Sequence, residues 1–134
     1  MSGFLIDANV LLDIATADAT WMTWSQEQLR LAAGRGTVFI NPIIYAEVAP
    51  AFANAGELDR WLDPGVFRRL PLPYEAGWLA AQSFLKYRRA GGARNAPLPD
   101  FYIGAHAEVE KLTLITRDAA RYRTYFPAVT LIAP

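Results

Sequence analysis

Residues 4–14 read FLIDANVLLDI, Phe4 to Ile14. The apolar run Phe4-Leu5-Ile6 stops abruptly at Asp7, and the residues that follow place Val10, Leu11 and Ile14 on one face of a helix. A strand that passes at once into a helix opens an α/β unit. An acid at that junction stands at the carboxyl edge of the presumed sheet.

The same alternation recurs downstream. Thr37 to Ile40 (TVFI) follows Gly34 and Gly36 and predicts a second buried strand. Asn41-Pro42 supplies an N-cap and a proline at the first helical position for a helix through IIYAEVAPAF, disturbed near Pro50. A short helical stretch from Glu57 to Leu62 ends at Asp63-Pro64-Gly65. Phe67 to Leu72, interrupted by Pro71, predicts an extended segment toward a sheet edge. Tyr74 to Arg89 reads as a long amphipathic helix, Ala90 to Pro97 as a mobile connection, and Pro99-Asp100 as the start of a helix through Lys111. LTLIT (Leu112 to Thr116) predicts a third clear strand, Asp118 to Tyr125 a short helix, and Val129 to Ile132 a final strand. The expected fold is α/β, a central parallel sheet of four to five strands with helices on both faces, in one domain over residues 1–134.

Composition narrows the chemistry. The chain has 134 residues, 53% of them hydrophobic, enough for one core. Cysteine is absent, which excludes disulfide scaffolds, zinc-thiolate sites, iron-sulfur clusters and thiol nucleophiles. No apolar run approaches the ~20 residues that span a bilayer, and the N-terminus lacks a signal-peptide pattern, so the expected compartment is the cytoplasm, away from any membrane. The formal charge is zero, but residues 1–67 carry a net −5 and residues 68–134 a net +5. Eleven of the thirteen bases are arginine, whose planar fork suits phosphate.

Four acids interrupt apolar patterns: Asp7, Glu47, Asp100 and Asp118. Glu47 shares the stripe Ile43, Ala46, Pro50 and is expected to point with it toward the core. Asp100 opens a helix in which Gly104 is expected to leave open space beside the carboxylate, and Asp118 follows LTLIT after a single arginine. Acids at the carboxyl ends of parallel strands fall where such sheets form their crevices. Carboxylates gathered within about 4–5 Å repel by a few kcal/mol per pair and call for a compensating cation. All-oxygen ligation favours Mg²⁺ or Mn²⁺, and the reaction class that follows is metal-assisted hydrolysis of a phosphodiester. Asn9 and Thr116 are the supporting polar groups, whereas Asp13, two helical turns beyond Asp7, is a weaker metal candidate. His106 faces away from Asp100 around its helix and reads as a packing or surface residue.

FLIDANVLLD, NPIIYAEV and LPDFYIGAHAEVEKLTLITRDAARYRTYFPAVTLI together resemble the PIN-domain ribonucleases, in particular VapC-type toxins of VapBC toxin-antitoxin pairs. The resemblance runs end to end and is weakest over residues 51–96. It implies that Asp7, Glu47, Asp100 and Asp118 form the acidic metal site, with Asn9 and Thr116 in support. It also implies cleavage of single-stranded or loop RNA, often in structured RNAs such as tRNA, with Mg²⁺ or Mn²⁺, a homodimer, and a small antitoxin partner that often inserts an arginine among the acids.

Arg88, Arg89 and Arg94, with Arg117 and Arg121 near the site, are the expected RNA contacts. Trp21, Trp24, Trp61 and Trp78 could stack bases, but their spacing beside apolar residues favours core or interface, and a groove around Trp21, Trp24 and Phe52 is the expected antitoxin seat. The alternatives are a catalytically silent RNA-binding or antitoxin-binding module of the same fold, or a housekeeping RNA-processing nuclease. A haloacid-dehalogenase-like phosphatase is disfavoured because Asn9 stands where it needs a second acid, and a receiver domain likewise lacks its acid pair and lysine.

Overall fold

The computed structural model describes residues 3–92 and 98–134. Its centre is a five-stranded parallel sheet of β1 (Gly3–Ile6), β2 (Thr37–Ile40), β3 (Phe67–Arg69), β4 (Thr113–Ile115) and β5 (Leu131–Ile132), in the order β3-β2-β1-β4-β5. Leu5 aligns with Leu114 and Ile6 with Ile115, so the central pair β1 and β4 end level. All four of these residues are fully buried, as expected of strands covered on both faces. The chain winds outward from β1 to β3 and then returns to the other side of β1. Right-handed crossovers therefore place helices on both faces and open a crevice at the carboxyl ends of β1 and β4.

Local chemistry sets the helices. Asp7 caps α1 (Ala8–Ala15), accepting from the Ala8 amide. α2 is Met22–Arg35. Asn41 caps α3 (Pro42–Val48) by accepting from the Ile44 amide at 2.9 Å, and a 3₁₀ turn at Ala49–Ala51 ends it at Pro50, where disturbance was expected. Asn54 caps α4 (Ala55–Trp61). α5 (Tyr74–Arg89) lies along α6 (Leu98–Val109), and α7 is Ala120–Tyr125. The edge position of β3 suits the prolines that flank it. Of the expected mobile connection, residues 93–97 lie outside the described residues. No described helix is long and apolar enough to cross a membrane.

Two expectations need correction. The buried stripe of α3 is Ile44 and Val48, while Ala46 and Pro50 are exposed, so Glu47 flanks the core instead of entering it. Gly104 does not open space beside Asp100. It is buried, and a Cβ there would come within 2.5 Å of the Phe126 ring. The glycine lets α6 close onto that ring, which is itself 1% exposed. Replacing Gly104 by valine should lower stability by about 2–3 kcal/mol, the cost of overpacking a closed core, read as a drop in the urea midpoint. An unchanged midpoint would mean that α6 does not rest on Phe126.

Candidate active site

The crevice begins where β1 and β4 end. Asp7 Oδ1 accepts from the Ala8 amide at 2.8 Å, and Asp7 Oδ2 accepts from the Thr116 hydroxyl at 2.9 Å and the Tyr122 hydroxyl at 3.0 Å. The Thr116 oxygen in turn accepts from Asn9 Nδ2 at 3.3 Å and from the Asp118 amide at 3.1 Å. Asn9 Oδ1 accepts from the Arg117 amide at 3.2 Å, so α1 is pinned to the turn after β4. α3 brings Glu47, and the first turn of α6 brings Asp100. Asp7, Glu47, Asp100 and Asp118 line one cleft of about 320 Å³, together with Asn9, Arg121 and Tyr122. Asp118 caps no helix, because α7 begins after Ala119 without a side-chain cap.

Burial pushes the Asp7 carboxyl up to about 6, against its three donors and with the charge of Asp100 adding to the rise. Burial, then the charges of Asp7 and Asp100, pushes Glu47 up to about 7. Its Oε1 is buried and has no hydrogen-bond partner. Asp100 is raised by burial and by Asp118, opposed by the Arg121 guanidinium at 2.8 Å. Burial and the neighbouring carboxylates hold the Tyr122 phenol well above its ordinary value, so it remains a donor to Asp7.

These features fit a hard divalent cation. The acid donors are all oxygen, one buried carboxylate oxygen has no donor, and the carboxylates raise one another's proton affinity. The arrangement is open: among the described residues no group of three or more His, Cys, Asp or Glu side chains is gathered so that it could hold an ion, and Asp100 is turned to Arg121.

The arginines part company. The Arg117 guanidinium is bound at 2.6 and 2.9 Å to Asp13, which is 3% exposed, accepts also from the Ser25 hydroxyl, and lies outside the cleft lining. Arg117 also lies over the Trp21 ring. It is therefore an anchor between α1, α2 and the turn after β4, with its guanidinium engaged by Asp13. Arg121 lines the cleft, held by Asp100 and by the rings of Tyr87 and Phe101. Arg88 and Arg89 are exposed in the last turn of α5, while Arg94 lies outside the described residues. His106 is fully buried between Asn41 and Glu110 and does not line the cleft.

The expected antitoxin seat also divides. Trp21 pairs with Trp24, whereas Phe52 packs on Trp61, which stacks on Phe67 of β3, and no described ring contact joins the two clusters. Tyr122 was missed. The signal was a tyrosine on the buried Tyr122/Phe126 stripe of the last helix, where a hydroxyl needs a partner.

Asp7 and Glu47 protonate more readily in the folded protein than in the unfolded chain. Between the ordinary values of 3.8 and 4.5 and the folded values of about 6 and about 7, the folded state binds more protons, so stability falls as pH rises through that window. In metal-free protein Glu47→Gln should flatten this decline in the urea midpoint and add about 1 kcal/mol at pH 8, a figure discounted for the partial exposure of the side chain. A pH profile identical to that of the parent would refute the burial of this carboxylate.

No curated protein matches the chain in sequence. Solved structures do match its fold. VapBC2 from Rickettsia felis, bound to a DNA fragment from its promoter, superposes with a TM-score of 0.75 at 16% identity, covering 98% of each chain. DNA-bound VapBC from Salmonella typhimurium gives 0.72 at 17%, covering 99% of this chain and 98% of that one. A toxin-antitoxin complex from Klebsiella pneumoniae gives 0.70 at 20%, covering 94% of each. At these identities the likeness is one of fold. The family model for the PIN domain matches residues 4–127, nearly the whole length, and the chain belongs to the PIN domain family.

Proposed function

We propose that this protein is an Mg²⁺- or Mn²⁺-dependent endoribonuclease, the VapC-like toxin of a toxin-antitoxin pair. The observation that carries the reading is the meeting of Asp7, Glu47, Asp100 and Asp118, from four separate parts of the chain, in one cleft at the sheet's switch point. Membership of the PIN family and the fold shared with VapBC structures support it.

The four acids would hold the ion, which when bound supplies a lowered pKa for an attacking water and positive charge for the leaving oxygen. Thr116 and Tyr122 fix Asp7 through two donated hydrogen bonds, leaving its carboxylate little freedom to rotate. Asn9 holds Thr116 in turn. Arg121, braced by Asp100 and two aromatic rings, presents a guanidinium at the cleft suited to a phosphate oxygen. Exposed Arg88 and Arg89 extend that positive surface along the RNA backbone. The lining contains no histidine to serve as general base for the ribose hydroxyl, so the products should carry 5′-phosphate and 3′-hydroxyl ends.

The open arrangement of the acids favours a second reading, a catalytically silent module that binds RNA or antitoxin. Metal titration with an RNA cleavage assay separates the two. Asp7→Asn should reduce Mg²⁺- or Mn²⁺-dependent cleavage by about a hundredfold or more while leaving the fold intact by circular dichroism. Cleavage indifferent to metal, or products ending in a 2′,3′-cyclic phosphate, would defeat the nuclease reading.

The partners are a small antitoxin and a second copy of the chain. The support for a covered surface is the outer face of α5, where Tyr74 is 96% exposed and Trp78 73% exposed, with Leu85 further along. Trp78→Lys should turn a dimer into a monomer in size-exclusion chromatography with light scattering. A variant that elutes as the parent does would remove α5 from the interface.

A further inference from the structure

A second cavity opens at the same sheet edge, at the ends of β2 and β3. It measures about 410 Å³ and is walled by Ile40, Pro42, Tyr45, Leu70 and Pro71, with Arg69 at its side. Its remaining lining residue, Asn41, is bonded inward to the Ile44 amide and His106, so the walls are mostly apolar. Tyr45 is braced in a way the acid cleft does not require. Its hydroxyl donates to Asp59 Oδ1 at 2.9 Å, the Arg69 guanidinium donates to the same oxygen at 2.8 Å, and that guanidinium lies 5.1 Å over the Tyr45 ring.

Tyr45 and Glu47 sit on opposite flanks of α3, two residues and about 200° apart, so the cavity lies roughly one helix width, about 10 Å, from the acids. Arg68, exposed and without an ion pair among the described residues, lines the adjoining surface with Arg69 and with Asp59, whose charge Arg69 already pairs. A mostly apolar pocket with a braced aromatic wall, a cation beside it and an acid cleft one helix away matches the parts of a single nucleotide, the base in the pocket and its phosphate outside.

We propose that this pocket receives an unpaired nucleobase of the RNA, flanking the scissile phosphate, with Tyr45 as its stacking platform and Arg68 on the adjacent phosphate. The inference rests on the ribonuclease reading for its ligand and assigns that ligand a specificity subsite. A base held here would fix which phosphate lies over the acids, so the pocket would contribute to the choice of cut position.

The test measures anisotropy of a short fluorescein-labelled single-stranded RNA of defined mixed sequence, with Mn²⁺, in an Asp7→Asn background so that RNA is not consumed. Tyr45→Leu, which keeps apolar bulk and removes the ring, should weaken binding about tenfold, the loss of one stacked base. Tyr45→Phe, which keeps the ring and gives up the bond to Asp59, should stay within about twofold of the parent. Walking an abasic site along the RNA should find a position that costs the parent the same tenfold and costs Tyr45→Leu nothing further. Arg68→Ala should reduce the salt slope by about one.

Parent-like RNA affinity in Tyr45→Leu overturns the proposal, including the case in which that variant loses self-association or a protein partner instead. The two readings fail separately. If protein with Asp7 intact cuts RNA and Tyr45→Leu changes neither binding nor cut position, the pocket falls and the nuclease stands. If no metal-dependent cleavage occurs but RNA binding follows Tyr45 and the abasic site as described, the nuclease falls and the pocket stands.

Discussion

The hydrogen bond from Thr116 to Asp7 joins the ends of two neighbouring parallel strands whose residues are 109 positions apart. It depends on β1 and β4 ending level, and the reversal of winding is what makes them neighbours. Asn9, the Asp118 amide and Tyr122 are all organised around the same two side chains. A one-residue slip would turn Asp7, if β1 moved, or Thr116, if β4 moved, to the opposite face of the sheet and dissolve the cleft. The buried aliphatic strands therefore do more than stabilise the fold: their packing sets the alignment that places the acids.

The acids oppose that stability. Asp7 and Glu47 are held where their charged forms are disfavoured, and one oxygen of Glu47 lacks any donor. Part of the opposition is relieved locally by Thr116, Tyr122 and Arg121. A further brace stands outside the cleft, where the buried Asp13 gathers Arg117 and Ser25 and ties the turn bearing Asp118 to the first two helices. A buried ion pair of this kind gives little net stability, but losing one partner leaves the other charge unpaired, which gives it value in fixing geometry.

What was legible in the sequence was short-range. Thr37 to Ile40 and Tyr74 to Arg89 lie where their patterns put them, because a β-branched run between turn formers and a sixteen-residue amphipathic stretch each determine their own element. The four acids stood out for the same local reason, as charges breaking apolar runs. Glu47 was assigned to the wrong stripe because a seven-residue helix with adjacent Ile43 and Ile44 accommodates two stripes, and only packing selects one. Gly104 was ambiguous between room for a ligand and room for a ring, and the ring, Phe126, comes from a different element. Arg117 with Asp13 and Tyr122 with Asp7 are separated by 104 and 115 residues, and no pattern along the chain records such pairs.

Arg121 carries one more implication. Its guanidinium is a counterion tethered to the protein, already seated on Asp100, and chain connectivity keeps its effective concentration high at every dilution. Any dissolved ion that recruits the same oxygen of Asp100 competes with this resident charge. Sodium and potassium, with the same single charge and no tether, are poor competitors, whereas a doubly charged ion gains from several carboxylates at once. The arginine thus leaves the cleft partly neutralised before any ion arrives, with Asp100 already sharing its charge.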